Sequence, residues 1–107
     1  MILLTTPIID GLKITEYCGT VAGEAINGAN FVRDFFARIR DVIGGRVGSY
    51  ESVLKDTRAQ ALRVLEKQAI ALGADAVIGL QVAVQIYDGT IIVHAIGTAV
   101  KVSEEAS

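Results

Sequence analysis

Residues 77–100 read VIGLQVAVQIYDGTIIVHAIGTAV, and this stretch decides the fold. The pair Asp88-Gly89 at its centre is a strong signal for a two-residue turn, because a type I′ turn needs a positive φ at both central positions. Apolar residues alternate with small or polar ones on either side of the pair, as they do in β-strands. The stretch therefore predicts a β-hairpin in which Tyr87 faces Thr90.

Continuing this pairing away from the turn divides the hairpin between two faces. One face carries large residues opposite small or β-branched ones, as a layer under helices requires: Ile78, Leu80, Val82, Val84 and Ile86 opposite Ala99, Gly97, Ala95, Val93 and Ile91. The second face has no Asp, Glu, Lys or Arg, although a solvated sheet face is usually mostly polar. We interpret it as a contact surface with another copy of the chain, formed by Val77, Tyr87, Ile92, Ile96 and Val100. The alternative is that the first strand region or the N-terminal residues fold over this face.

Three further elements precede the hairpin. A strand region from about Lys13 to Ile26 is interrupted by Gly19 and Gly23, which indicate a bulge or the close approach of another backbone. The apolar spacing predicts one helix over about 31–43 and a longer one over about 50–72, which Gly73 ends. The predicted inner stripe of the longer helix is Tyr50, Leu54, Ala61, Leu65, Ala69 and Leu72. The order β-α-α-β-β predicts a two-layer α+β fold, with a three-stranded antiparallel sheet covered on one face by two helices.

Length and composition set limits on the function. A chain of 107 residues is expected to form a single domain over 1–107, with a polar tail at 103–107. Ten basic against twelve acidic residues give a net charge of −2, which offers no basic surface for nucleic acid. The apolar start at 1–4 is too short for a secretory signal, and no segment is long enough to span a membrane. With one cysteine, the expectation is a cytoplasmic protein with a reduced thiol and no membrane partner.

Several short motifs in fixed order resemble the YbjQ family. They are Gly23-Glu24-Ala25-Ile26, Gly28-Ala29-Asn30, Val32-Arg33-Asp34-Phe35-Phe36-Ala37, Gly44-Gly45-Arg46, Gly48-Ser49-Tyr50-Glu51, Gly73-Ala74-Asp75-Ala76-Val77-Ile78-Gly79 and Gly97-Thr98-Ala99-Val100. The resemblance covers about residues 5–101. It implies a dodecin-subunit-like fold, assembly into a ring of five subunits or a multiple of five, and binding of a heavy-metal ion such as zinc or copper. It supplies no catalytic residues.

Cys18 and His94 are the metal-ligand candidates that the residue types select, with Glu16 or Glu24 as a carboxylate that could join them. One chain has no CxxC, no HxxxH and no Cys/His cluster, so we expect any site to form at a subunit boundary, where Cys18 of one copy meets His94 of another. The alternatives are a buried, inert cysteine and a hydrogen-bonded interface histidine. Two alternatives to metal binding are a scaffold oligomer without a small ligand and an enzyme that uses Cys18 and His94 at an interface. Because no third residue orients a Cys18–His94 pair, the prediction is that the protein is not an enzyme.

The segment around Gly45, Arg46 and Ser49 is a second candidate site. It leads into a predicted helix N-terminus, where free amides and the Arg46 side chain could bind an anion or a phosphate. It is not a P-loop, because the GKS/T ending is absent and a helix precedes it. The alternative is a connector whose glycines allow the chain to reverse between two helices.

Overall fold

The computed structural model describes residues 1–28, 49–87 and 89–105. Within them, the elements in chain order are β1 (Ile2–Leu3), β2 (Leu12–Asn27), α1 (Ser49–Ala71), β3 (Ala76–Tyr87) and β4 (Thr90–Glu104). The four strands form one mixed sheet in the order β1-β3-β4-β2. The helix packs on one face of this sheet, mainly over β2 and β4, so the protein has an α+β fold.

The predicted three-stranded antiparallel sheet is wrong in one respect, because β1 adds a fourth strand parallel to β3. Backbone hydrogen bonds continue this pairing beyond β1. The amide of Leu4 donates to the carbonyl of Val77 at 2.8 Å, and the amide of Leu80 donates to the carbonyl of Leu4 at 3.0 Å. A strand of two residues is too short to show the alternation of apolar and polar residues from which strands are predicted. The helix predicted over 31–43 lies outside the described residues.

The hairpin register is confirmed from the turn down to one point in β3. Tyr87 pairs with Thr90, and the predicted pairing continues residue by residue as far as Gln81 opposite Ile96. There a register shift follows, and Ile78 faces Thr98 instead of the predicted Ala99. Gly79 has φ +60° at this point, and the irregularity exchanges the faces of the residues beyond it, as a one-residue slip must.

Two of the predicted interface residues are corrected, Val77 by this shift and Val100 by the N-terminal residues that cover it. Val77 lies beneath α1, where it packs with Leu65 and Ala99. Val100 lies on the opposite face and packs with Ile9 and Ile78. Both valines are fully buried within one chain, so neither contacts a second copy.

The N-terminal residues cover one end of the second face. Ile9 is buried against Val100, and Leu4, Leu12 and Ile14 pack at the margin of the same cluster. The alternative reading of the sequence, in which residues of the same chain fold over this face, is therefore right for this end. The hairpin half of the face is left open by the described residues, and Ile96 there is 49% exposed.

The inner side of α1 follows the predicted stripe at its centre. Ala61, Leu65 and Ala69 are fully buried. Toward the N-terminus, Thr57 extends the buried row by one turn and Val53 by two. Leu54 is half-buried, whereas Leu72 is exposed because the helix ends before it. Gly73 follows the helix with φ +77°, as predicted for a residue just past a helix end.

A buried hydrogen-bonded pair fixes the start of α1 against β2. The hydroxyl of Thr57 donates to the carbonyl of Val53 at 2.8 Å and accepts from the side-chain amide of Asn27. Asn27 and Thr57 are the buried polar residues of the described part of the chain. Their hydrogen bond offsets the free-energy cost of burying two polar side chains, because an unpaired polar group in a core is destabilising.

We expect Thr57→Val to lower the free energy of unfolding by about 1–3 kcal/mol, because valine keeps the shape and leaves the Asn27 amide without its partner. Urea denaturation measures the change. Thr15→Val is the matched control, since the Thr15 hydroxyl donates to the Lys101 carbonyl in an exposed position. If the two substitutions shift the midpoint equally, burial of the Asn27–Thr57 pair does not matter to stability.

Candidate functional site

The open half of the second face carries the histidine of the chain. Val93 and Ala95 are buried beneath α1, and because strand residues alternate between faces, His94 lies on the opposite face. In the register of the sheet its neighbour on β2 is Glu24. Its neighbour on β3 is Ala83.

His94 and Glu24 form a close pair. The Nδ1 atom of His94 lies 3.5 Å from the Oε2 atom of Glu24, and the two side chains are 49% and 54% exposed. They lie in a groove of about 460 Å³, which Ile96 also lines and which reaches Val64 and Gln68 of α1 around the edge of β2. The pair is thus open to solvent and to a ligand.

A second pair of candidate ligands lies further along β2. The thiol of Cys18 donates to Oε2 of Glu16 at 3.8 Å, so the structure brings these two predicted residues together. The ammonium group of Lys101 lies 3.9 Å from the same carboxylate oxygen. Cys18 is half-buried and packs against the cluster beneath α1 that contains Val21 and Leu65.

The two pairs are well separated within one chain. His94 lies opposite Glu24, which is six residues from Cys18 along β2. At about 3.3 Å per residue the separation is on the order of 20 Å. Cys18 packs on the α1 side of the sheet, whereas His94 lies on the other face. Cys18 and His94 of the same chain therefore cannot share one ion or form one catalytic pair.

The His94–Glu24 pair fits the requirements of a metal ion. Two ligands of one tetrahedral zinc ion, each about 2.1 Å from the metal, are separated by about 3.4 Å. The 3.5 Å between Nδ1 and Oε2 matches this separation, and imidazole and carboxylate are both ligand types that zinc accepts. The Cys18–Glu16 pair has a suitable separation too, but the Lys101 ammonium group repels a cation there.

Neither pair is a complete site. Among residues 1–28, 49–87 and 89–105, no group of three or more His, Cys, Asp and Glu residues is arranged to hold a metal ion. A structural zinc site needs four ligands, and an open one has three from the protein. Two ligands from one chain therefore leave at least one ligand position unfilled.

The remaining predicted residues are distributed as follows. Tyr87 and Ile96 are exposed and Ile92 is half-buried on the open half of the second face, where each is available to a partner. Gly45 and Arg46 lie outside the described residues, and for Ser49 the structure gives only its position as the first residue of α1. Glu24 was one of two carboxylates that the sequence offered, and the choice between it and Glu16 could not be made because the pairing with His94 depends on the register of β2.

In the described part of the chain, α1 is too polar to cross a bilayer, and no helix there meets the requirements of a membrane span.

The fold and the open sheet face define the class of protein. It is a small α+β protein whose candidate metal-ligating side chains lie at separate places along a sheet and are not gathered in one cleft. The chain belongs to the YbjQ family, whose family model, described as "Putative heavy-metal-binding", matches residues 1–103.

Similar proteins agree with this membership over nearly the whole chain. A UPF0145 protein of Actinobacillus pleuropneumoniae serotype 5b (strain L20) is 56% identical over 103 residues, which are 94% of this chain and 97% of the relative. UPF0145 proteins of serotype 3 (strain JL03) and serotype 7 (strain AP76) are each 55% identical, with the same coverage. A crystal structure of a DUF74-family protein of unknown function from Pediococcus pentosaceus is 19% identical. It superposes with a TM-score of 0.60 over 96% of this chain and 98% of that one, which supports the fold.

Proposed function

We propose that this protein is a homo-oligomer that binds a heavy-metal ion such as zinc or copper at its subunit boundaries, through His94 and Glu24. The observation that carries the proposal is the 3.5 Å separation of Nδ1 and Oε2 in an accessible groove. The family description supports the ligand class. A second copy supplies the missing ligands, because the described residues of one chain offer only this pair at this place.

The other predicted ligands take a smaller part in this proposal. Cys18 lies about 20 Å and Glu16 about 26 Å from the His94–Glu24 pair along β2, and Lys101 neutralises the Glu16 carboxylate. They reach the metal only if the boundary brings Cys18 of one copy to His94 of its neighbour. The proposal assigns no catalysis, because a Cys18–His94 pair formed between copies would still have no third residue to orient it. A scaffold oligomer without a small ligand is the rival that the following experiment separates.

Titration with Zn²⁺, Cu²⁺ and Cd²⁺ by calorimetry, on protein purified without a metal-chelating tag, tests the proposal. We expect His94→Ala and Glu24→Gln each to weaken binding roughly tenfold or more, because loss of a ligand costs at least as much as loss of its supporting contacts. Both side chains are half-exposed, so neither change disturbs the core.

Glu16→Gln and Cys18→Ala are the matched controls, since they alter the other pair of candidate ligands. If these two substitutions weaken binding while His94→Ala does not, the metal binds at the Cys18–Glu16 pair and the assignment is wrong. If the wild-type oligomer takes up none of the three ions, the scaffold function replaces the metal-binding one.

A further inference from the structure

β2 carries one of the two proposed metal ligands, Glu24, at an edge of the sheet. It is the last strand in the sheet order, and in the described part of the chain β4 is the strand that pairs with it. An edge strand leaves the backbone groups of its outer side without strand partners. The distance between the Glu24 carboxylate and His94 therefore depends on what else holds β2 in place.

Two contacts with α1 hold β2 immediately before Glu24. On the outer side of the strand, the amide of Ala22 donates to Oε1 of Gln68 at 3.0 Å. The next residue, Gly23, packs so closely against the backbone of α1 that a side chain there would overlap it. The two consecutive residues before the ligand are thus fastened to the helix, one by a hydrogen bond and one by packing.

Gln68 is the polar residue through which α1 reaches the ligand side of the sheet. Among the described residues of α1, Gln68 and Val64 line the groove that contains the His94–Glu24 pair, and valine has no polar atom. The Gln68 side chain is exposed, so the core does not depend on it. Its hydrogen bond joins the helix, on one face of the sheet, to the strand whose Glu24 side chain lies on the other face.

We infer that Gln68 is a positioning residue of the proposed metal site. By holding the Ala22 amide, it fixes the part of β2 from which the Glu24 side chain extends, and so keeps Oε2 at 3.5 Å from Nδ1 of His94. This inference rests on the proposed function, because it names a residue that prepares the same pair for the ion. Gln68 acts through β2 and is not itself a ligand.

The separation of two ligands is what a positioning residue controls. Zinc requires about 3.4 Å between two of its ligands, and Glu24 and His94 meet this distance before an ion binds. A ligand that is already held in its bound position loses less conformational freedom on binding, which raises affinity without a new contact. Contacts that support metal ligands typically change the affinity by about ten- to a hundredfold. Because Gln68 acts through the backbone, we expect the lower end of this range.

Substitution of Gln68 tests the inference, in calorimetric titrations of the whole protein with whichever of Zn²⁺, Cu²⁺ and Cd²⁺ the wild type binds most tightly. Gln68→Met removes the acceptor oxygen and keeps the length of the side chain, so we expect the dissociation constant to rise roughly tenfold. Gln68→Asn, which is too short to reach Ala22, is expected to behave in the same way. Gln68→Glu keeps an oxygen at the same reach and is expected to bind the ion at least as tightly as the wild type.

Gln60→Met is the matched control, because it changes another glutamine of the same helix. The side-chain amide of Gln60 donates to the carboxylate of Asp56 at 3.3 Å, and Gln60 does not line the groove. We expect its dissociation constant to stay within about twofold of the wild-type value. Urea denaturation of the metal-free variants, at one protein concentration, measures stability separately. A purely structural contact would lower the free energy of unfolding in Gln68→Met and leave its affinity unchanged.

Hydrogen exchange of the Ala22 amide, followed by NMR with and without the ion, links the affinity to the contact itself. The amide should exchange slowly in the wild type and in Gln68→Glu, and quickly in Gln68→Met. Fast exchange in metal-loaded Gln68→Glu would mean that the new carboxylate has left Ala22 to bind the ion, which overturns the inference. In about 1 M sodium nitrate, charges are screened beyond about 3 Å, and a rescue by Gln68→Glu that disappears there overturns it too.

The titrations also separate failure of this inference from failure of the proposed function. Equal affinities of the wild type and Gln68→Met overturn the positioning role and leave the site of His94 and Glu24 standing. A loss of affinity that Gln68→Glu does not restore overturns it as well, because the acceptor oxygen is then not the required group. A wild-type protein that takes up none of the three ions overturns the proposed function, and the positioning role with it.

Discussion

Gly23→Ala is expected to lower the free energy of unfolding by about 3 kcal/mol or more, at the upper end of the cost of overpacking a core. A Cβ atom at this position would overlap the carbonyl oxygen of Ala61 and lie 2.6 Å from the backbone nitrogen of Leu65. Both are backbone atoms of α1, so no side-chain rotation relieves the clash. The helix itself has to move away from β2.

Moving α1 is costly because the helix carries much of the buried surface. Ala61 and Leu65 are fully buried on either side of the contact, and each belongs to a different core cluster beneath the helix. A displacement of the helix would therefore loosen both clusters at once. Interiors are packed as densely as organic crystals, which leaves little room for such a shift.

Urea denaturation at one fixed protein concentration measures this effect, since association of copies adds to the apparent stability. Gly28→Ala is the matched control, because a Cβ there meets nothing within 4 Å and the residue has no positive φ. Its free energy of unfolding is expected to change by less than about 0.5 kcal/mol. Equal midpoints for the two variants would contradict the close contact between α1 and β2.

The two strand glycines show how far sequence reasoning extends. The pattern indicates that Gly19 and Gly23 mark a bulge or a close approach, and both interpretations are correct, one at each position. Gly19 has φ +132° at a register shift of β2. The backbone of α1 instead packs closely against Gly23. Both are glycines within a strand, so the sequence alone does not assign the roles. The assignment depends on which segment of β2 lies under the helix.

The hairpin was predictable near its turn and not beyond Gln81. Turn chemistry at 88–89 sets the register of the adjoining residues, and each pair down to Gln81 and Ile96 follows from it. Gly79 interrupts that logic with a left-handed conformation. A glycine inside a strand can mark a bulge, but the predicted pairing was continued through Gly79 as if the strand were regular. The misplacement of Val77 on the second face follows directly from this one irregularity.

The candidate site was predictable in its residue types but not in its grouping. Ligand chemistry selects Cys18 and His94 from the composition, since they are the chain's single cysteine and single histidine. Whether they meet depends on the pairing of β2 with β4, which is long-range and leaves no local signal. The observed register places Glu24 opposite His94, so the carboxylate partner of the histidine is Glu24 instead of Glu16.

Ile96→Glu is expected to dissociate the oligomer into single chains without unfolding them. Ile96 lines the groove that contains the His94–Glu24 pair, where the proposed subunit boundary forms, yet it is 49% exposed in one chain. A glutamate there is solvated in the free chain and becomes a buried, unpaired charge in the assembly. Such a charge costs about 3–5 kcal/mol, which weakens each contact by roughly two to four powers of ten.

Light scattering after size-exclusion chromatography measures the mass, and circular dichroism reports whether the subunit stays folded. We expect the wild type at a multiple of 11.3 kDa, five chains or a multiple of five, and the variant at 11.3 kDa with an unchanged spectrum. Ile70→Glu is the matched control: Ile70 is a more exposed isoleucine, at 59%, on α1 and does not line the groove. If Ile70→Glu dissociates the assembly and Ile96→Glu does not, the copies meet through the helices, and the open sheet face has another role.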